Sequence, residues 1–303
     1  MQSSHQVTRP TTSSTPGPVP TPAATQPRPV GAALAVRPLV NALGPRRYAT
    51  INWVGLWTLY AKEVRRFIAV GTQTVLAPMV TTLLFLAIFV LALGHRVDQV
   101  GGQSYMQFLA PGLIMMAMTQ NAFANTSSSL LIAKVQGNIV DLLMPPLSPV
   151  EQTIGVAAGG LTRGLIVGIA TGLGMWLFTP LQIAHPLVAL FFAVMACLLL
   201  SLIGMLAGIW AVKFDHMAAV TNFVITPLSF LSGTFYSTER LAPVWKAVAH
   251  ADPFFYMIDG FRYAFIDHAD GSVMTGAILL LTANLCLVWL VHRCFAHGYK
   301  LKA

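Results

Sequence analysis

The sequence predicts an all-α, polytopic membrane protein: six transmembrane helices behind an N-terminal amphipathic interfacial helix, with short re-entrant external helices between spans 5 and 6. Three observations predict it. Apolar residues make up 55% of the chain and charged residues only 9%, against about a quarter charged in a soluble domain, so the bilayer is the expected solvent. Apolar runs long enough to cross about 30 Å of hydrocarbon recur along the chain. The 18 Lys and Arg against 10 Asp and Glu are scattered between those runs and line no polar face, which marks topology and not a nucleic-acid partner.

Residues 1–47 are rich in Pro, Thr, Ser and Ala without an apolar period. They are expected to be a disordered cytoplasmic tail, lacking the apolar core of a secretory signal, ahead of a membrane-spanning domain over 48–303. From residue 51 the pattern changes. Trp53, Trp57, Tyr60, Val64 and Phe67 follow one another at helical spacing, with Lys62, Arg65 and Arg66 on the other face, which predicts a helix lying in the membrane interface. The spans then run Val75–Leu93, Leu109–Ala133, Leu161–Phe178 with a cytoplasmic extension back to Glu151, Leu187–Val212, Ala218–Tyr236 and Val273–Val291. An even number of spans returns both termini to one side. That side collects Lys62, Arg65, Arg66, Lys134, Lys213, Arg293, Lys300 and Lys302, the other Arg96, Arg240, Lys246 and Arg262, so the termini are expected in the cytoplasm.

The stretch from Thr221 to Arg262 then faces outward. Pro227 interrupts the fifth span, Ser232 and Gly233 loosen its end, and the apolar pieces Leu241–Ala249 and Phe254–Ile266 are too short to cross. They fit helices that enter the membrane and return, or an amphipathic loop on its surface. On the first reading Trp245 and Tyr256 are shielded, while Glu239 and Asp270 lie open. Asp259 and Arg262, three apart, are placed to pair on one helical face.

Within the spans the polar signals are weaker. Gly160, Gly164, Gly168 and Gly172 recur every four residues, a groove for close helix packing. Asn121, Asn125 and Ser128 share one face of the second span, and Asn222, Thr226 and Ser229 one face of the fifth, as substrate-path candidates or as interhelical hydrogen-bond partners. Arg163 is the one charge inside a span, placed where it either snorkels to the headgroups or serves function. No carboxylate falls inside a span, which speaks against a proton-driven carrier. Cys197, Cys286 and Cys294 sit in or at the edge of apolar segments, without a disulfide framework.

A search for chemistry returns little. None of the six lysines follows a glycine, so the chain has no P-loop. No Gly-x-Ser-x-Gly elbow or His-Glu-x-x-His helix is present, and the eight histidines are dispersed. Neither a catalytic residue nor a cofactor or metal site is expected.

The amphipathic helix, six spans, the Pro-bounded loop over 134–153, and the ordered runs Ser232-Gly233-Thr234-Phe235-Tyr236, Leu241-Ala242-Pro243-Val244-Trp245, Asp252-Pro253-Phe254-Phe255-Tyr256 and Phe261-Arg262 resemble the membrane permease of type-2 ABC exporters, in the compact branch without an extracellular domain. The resemblance covers residues 50–303. It implies a dimerising half-transporter that recruits two separate P-loop ATPase subunits, which hold the ATP and Mg, and exports polysaccharides, lipid-linked glycans or other amphiphiles by alternating access. It also assigns candidate contacts with the ATPase to Trp57, Glu63, Arg66, Val140, Leu142 and Leu143. The external gate falls to Ser232, Gly233, Phe235, Pro243, Trp245, Pro253, Tyr256, Asp259 and Arg262. An ion-gradient-driven transporter and an integral membrane enzyme are the alternatives.

Overall fold

The structure is a computed structural model that describes residues 51–93, 99–100, 102–238 and 241–301. The expected tail over 1–47, and Arg96, Glu239, Arg240 and Lys302, lie outside the described residues.

Helix α1, Trp53–Ile68, is capped by Asn52, whose side chain accepts the Gly55 amide. A π turn, Thr72–Leu76, opens α2, Ala77–Leu93. A two-residue hairpin, β1 (Gln99–Val100) against β2 (Gln103–Ser104), links it to α3, Tyr105–Val135. The Ser104 and Gln107 capping box starts α3, closing two orphan donors at once. Then come α4, Ile139–Leu143; α5, Pro149–Trp176, with a second capping box from Ser148 and Glu151; and α6, Pro186–Trp210. Helix α7 has three pieces, Phe214–Val220, a π turn over Thr221–Ile225, and Thr226–Leu231. Two short helices, α8 (Pro243–Ala251) and α9 (Pro253–Ile266), precede α10, Val273–His297.

The chain is all-α in character, the small hairpin apart, and polytopic. Among the described residues four helices are long and apolar enough to cross a membrane: Thr72–Ala92, Pro149–Trp176, Pro186–Trp210 and Val273–His297. The second and fifth expected spans correspond to α3 and α7. Helix α3 is long, but Gln120, Asn121, Asn125, Thr126 and three serines lower its apolar character. Helix α7 is short and broken by its π turn.

Helix α3 is the centre of the bundle, buried from Tyr105 to Leu131 over most of its faces. Small residues allow this. A β-carbon on Gly160 would strike Ser201 and Thr126, one on Gly164 would strike Cys197 and the Met118 carbonyl, and one on Gly168 would strike Met118. The expected groove on α5 is therefore the seat of α3 and α6, and adding a methyl there costs about 1–3 kcal/mol through overpacking. Gly172 departs from the pattern, with only Ile114 at 3.8 Å from such an atom. It borders an open apolar crevice with Leu165, Ile169, Trp176 and Phe265. The three cysteines are free.

Helix α1 is amphipathic and packs one face on the bundle. Its buried residues are Leu59, Glu63 and Phe67, while Trp53 and Trp57 are about two-thirds exposed. Contacts advance in step along α1 and α5, Leu59 against Gly155 and Glu63 against Gly159. The helix runs beside the first half of α5 because those two glycines leave room for it.

Candidate functional site: two polar clusters on one helix

Two clusters of charge lie about 25 Å apart along α3, from Phe108 to Asn125 at 1.5 Å per residue. Sequence reasoning placed their residues on separate elements, and the fold gathers them.

At the α1 end, Glu63 is almost fully buried. Its carboxylate accepts the Ser129 hydroxyl at 2.7 Å and the Arg66 guanidinium at 3.2 Å. Arg66 also donates to the Asn125 backbone carbonyl at 2.7 Å, the Asn125 side-chain oxygen at 2.9 Å and the Ser128 hydroxyl at 3.2 Å. One turn along α3, Asn121 accepts from Arg163 of α5 at 3.0 Å and donates to the Ala117 carbonyl. Tyr60 and Thr162 bond alongside at 3.0 Å. The Asn52 amide meets the Glu151 carboxylate, tying the start of α1 to the start of α5.

This cluster revises several expectations. Glu63 is buried and Arg66 partly exposed, and both bond to α3. Arg163 reaches inward to Asn121 and does not snorkel, because the amide supplies the acceptor that hydrocarbon lacks. Asn121 and Asn125 are engaged as interhelical partners, and Asn125 has no exposed surface to line a path. A buried carboxylate does exist, but it arrives from α1 and is paired, unlike a proton-relay group in a span.

The surface at this end is apolar. Trp57, Val140 and Met144 are exposed, whereas Leu142 is buried with Leu59, Leu130 and Ile209. Leu143 is half-buried. The outward face of α4 and its C-cap is thus carried by Val140 and Met144. Leu142 belongs to the core because one turn of helix alternates its faces within five residues.

At the α9 end, Arg262 is buried to 1% exposure. Its guanidinium donates to the Gly233 carbonyl at 2.7 Å and the Phe108 carbonyl at 3.3 Å, and stacks 3.8 Å from the centre of the Phe108 ring. Gly112 makes room: a β-carbon there would lie 2.9 Å from the Thr234 carbonyl and 3.2 Å from Arg262. Gly233, at φ +78°, takes the left-handed conformation that turns the chain back, so glycine is required. Asp259 does not pair directly with Arg262. Its two oxygens accept the Asp270 and Gly271 amides at 2.8 and 2.9 Å. Asp270, expected to lie open, is buried, and one oxygen accepts from Ser237 and from the amide and hydroxyl of Thr238. Each acid satisfies backbone donors that a side-chain ion pair would have left orphaned.

Phe235 closes the same end. Its ring stacks on Phe89 at 4.4 Å and Phe230 at 4.9 Å, and its carbonyl accepts the Tyr105 hydroxyl. Pro253 starts α9 behind the Asp252 cap, whose carboxyl burial pushes up to about 6. Ser232 bonds back to Leu228 and Ser229, and Tyr256 is half-buried. In helix α8 the bundle leaves most side chains uncovered. Pro243, Val244, Trp245 and Val248 are exposed and only Ala249 is buried, so the protein does not shield Trp245. The face expected on α7 is also split. Asn222 is exposed and Ser229 buried, with Thr226 between, because the extra residue of the π turn rotates the helix face by about 100°.

A family profile described as ABC-2 type transporter matches residues 54–266. The inner membrane transport permease YadH of Escherichia coli (strain K12) is 41% identical over 242 residues, 79% of this chain and 94% of its own length. Nodulation protein J of Neorhizobium galegae is 26% identical over 241 residues, 76% of this chain and 88% of its own. Nodulation protein J of Rhizobium leguminosarum bv. trifolii is 27% identical over 228 residues, 72% of this chain and 83% of its own.

Proposed function

The chain belongs to the ABC-2 type transporter family, and from that premise we propose that it is the membrane permease subunit of an ATP-binding cassette exporter. Two copies form the path, and two copies of a separate P-loop ATPase supply the ATP, the Mg and the hydrolysis. The membrane is the bacterial inner membrane, with both termini and α1 on the cytoplasmic side and α9 outside. The substrate is an amphiphile of glycan or lipid type.

One observation carries the reading: a surface helix, α1, is joined by buried and partly buried hydrogen bonds to the two central helices α3 and α5. Force applied to Trp57, or to Val140 on α4 and Met144 at its C-cap, passes into the bundle without a flexible link. Closure of the ATPases tilts α3 and α5. At the other end the Arg262 bonds to Gly233 and the Phe235 stack must part for the path to open outward.

The test is reconstitution. The purified chain alone hydrolyses no ATP, and adding its ATPase partner gives nucleotide-dependent export. Val140→Asp with Met144→Asp lowers co-purification of the two subunits while the permease stays inserted and folded, since both side chains face solvent. Robust hydrolysis by the chain alone, or undiminished co-purification of that variant, contradicts the reading.

A further inference from the structure

The corner between α6 and α7 is three residues long, 211–213, and contains no glycine. Helix α6 ends there with its last carbonyls lacking partners within the helix, as every helix end does. One side chain answers them. Lys134, in the last turn of α3, donates from its ammonium to the Ile209 and Ala211 carbonyls at 2.6 Å each and to the Gly208 carbonyl at 3.4 Å. An ammonium has three donors, and all three are used. A cation at a helix C-terminus also meets the negative end of the helix dipole.

The seam between α3 and α6 leads to this point. Thr126 donates to the Ser201 carbonyl at 2.8 Å, and β-carbons on Gly204 and Gly208 would strike the Phe123 and Ser127 carbonyls, so the two backbones stay in close approach down to Lys134. Helix α4 sits on the same seam, where Ile139 and Leu142 pack in one cluster with Leu130 of α3 and Ile209 of α6. Across the corner, the Val212 amide donates to His216 Nδ1 at 3.4 Å, and the His216 ring lies 5.3 Å from that of Trp210. At the far end of α7, Phe230 stacks on Phe235 at 4.9 Å.

We propose that Lys134 is the positioning residue that carries movement of α3 and α4 into α7, and through α7 to the Phe235 stack. The inference rests on the reading of the chain as a permease driven at α1 and α4, and deepens it by naming the route to the outer end. A push on α4 bears on Leu130 and Ile209 together. Apolar contact at that cluster is non-directional and resists compression more than sliding. The ammonium bonds are directional and fix the end of α6 to α3, so the corner turns with α3 and does not slip past it. Without a glycine to absorb the rotation, three residues hand it on to α7.

The experiment reads both ends of the route in vesicles containing the chain and its ATPase partner. In a background with Cys197, Cys286 and Cys294 replaced, bimane is attached to a single cysteine, from Met144→Cys at the C-cap of α4 or from Phe223→Cys on the exposed face of α7. With Lys134 in place, ATP changes the fluorescence at both positions. Lys134→Met keeps the apolar stem and removes the donors. It leaves the change at position 144 in place and lowers that at position 223 about fivefold or more, and export per ATP hydrolysed falls with it. Lys134→Arg, which returns charge and donors, restores most of the change at position 223. Where Lys134→Met fails to fold, Lys134→Gln, which drops the charge alone, is read by the same criterion. A purely structural role lowers thermal stability without separating the two positions. An undiminished change at position 223 in the folded variant, or equal losses at both positions, overturns the proposal and leaves the export reading standing. No change at either position with Lys134 in place overturns the export reading and the proposal with it.

Discussion

The two polar clusters on α3 use the same residue types to different ends. At the α1 end the arginines bind chiefly side chains: Arg66 to Glu63, Asn125 and Ser128, with one further bond to the Asn125 backbone carbonyl, and Arg163 to Asn121. At the α9 end Arg262 and Asp259 each bind backbone, and neither holds the other. Side-chain bonds between helices let a helix transmit motion with its partners rearranging. Backbone bonds fix a turn in place and release it as a unit. The first arrangement suits a joint that stays closed under load, the second a latch that opens once.

The sharpest way to break that comparison is at the latch. Arg262→Ala strands the Gly233 and Phe108 carbonyls and removes the ring contact. With charge-assisted bonds worth about 1.5–3 kcal/mol each and some desolvation relieved, it should destabilise by about 2–4 kcal/mol. Thermal unfolding in detergent checks this, and a shift no larger than that of surface variants contradicts the latch.

A smaller effect is expected at the joint. Glu63→Gln keeps the shape and an acceptor for Ser129 but weakens the bond to the partly exposed Arg66, costing about 1–2 kcal/mol. Coupled transport should fall more steeply than stability, read as export per ATP hydrolysed. Equal export per ATP would make the joint a mere packing contact.

A third effect concerns pH. Burial raises the Asp252 carboxyl from its ordinary value near 3.8 to about 6. Between those values the folded state holds a proton that the unfolded state has lost, so stability falls as pH rises from about 4 to 6. Asp252→Asn should flatten that slope.

Much of the fold was legible because it depends on periodicity and length. The runs behind α2, α5, α6 and α10, the helical spacing from Trp53 behind α1, and the short helices around Pro243 and Pro253 each follow from local rules of apolar spacing and proline placement. The groove at Gly160, Gly164 and Gly168 followed from the small-residue repeat, while Gly172 did not, since the same spacing says nothing of where the partner helix ends. The sites were read less well. Leu142 faces the core and Met144 the solvent, a distinction a five-residue helix cannot announce. The π turn at Thr221–Ile225 rotated Asn222 away from Ser229, and no residue type marks such a turn. Asp259 and Arg262 sit at pairing distance in sequence, yet unpaired amides at Asp270 and Gly271 and the Gly233 carbonyl competed for them. Those competitors come from other elements, so only tertiary structure could reveal them.

The claim that one end is a joint and the other a latch is tested most directly by locking each in turn. In a background with Cys197, Cys286 and Cys294 replaced, Tyr60→Cys with Thr162→Cys places a thiol pair across the joint, where the native groups bond at 3.0 Å. Phe89→Cys with Phe235→Cys places one across the latch, where the rings stack at 4.4 Å. Both are bridged with a short bismaleimide in vesicles containing the ATPase partner. Export should survive the bridge at the joint and stop with the bridge at the latch, with both unbridged variants active. Export that stops at the joint and continues through a bridged latch would contradict the account.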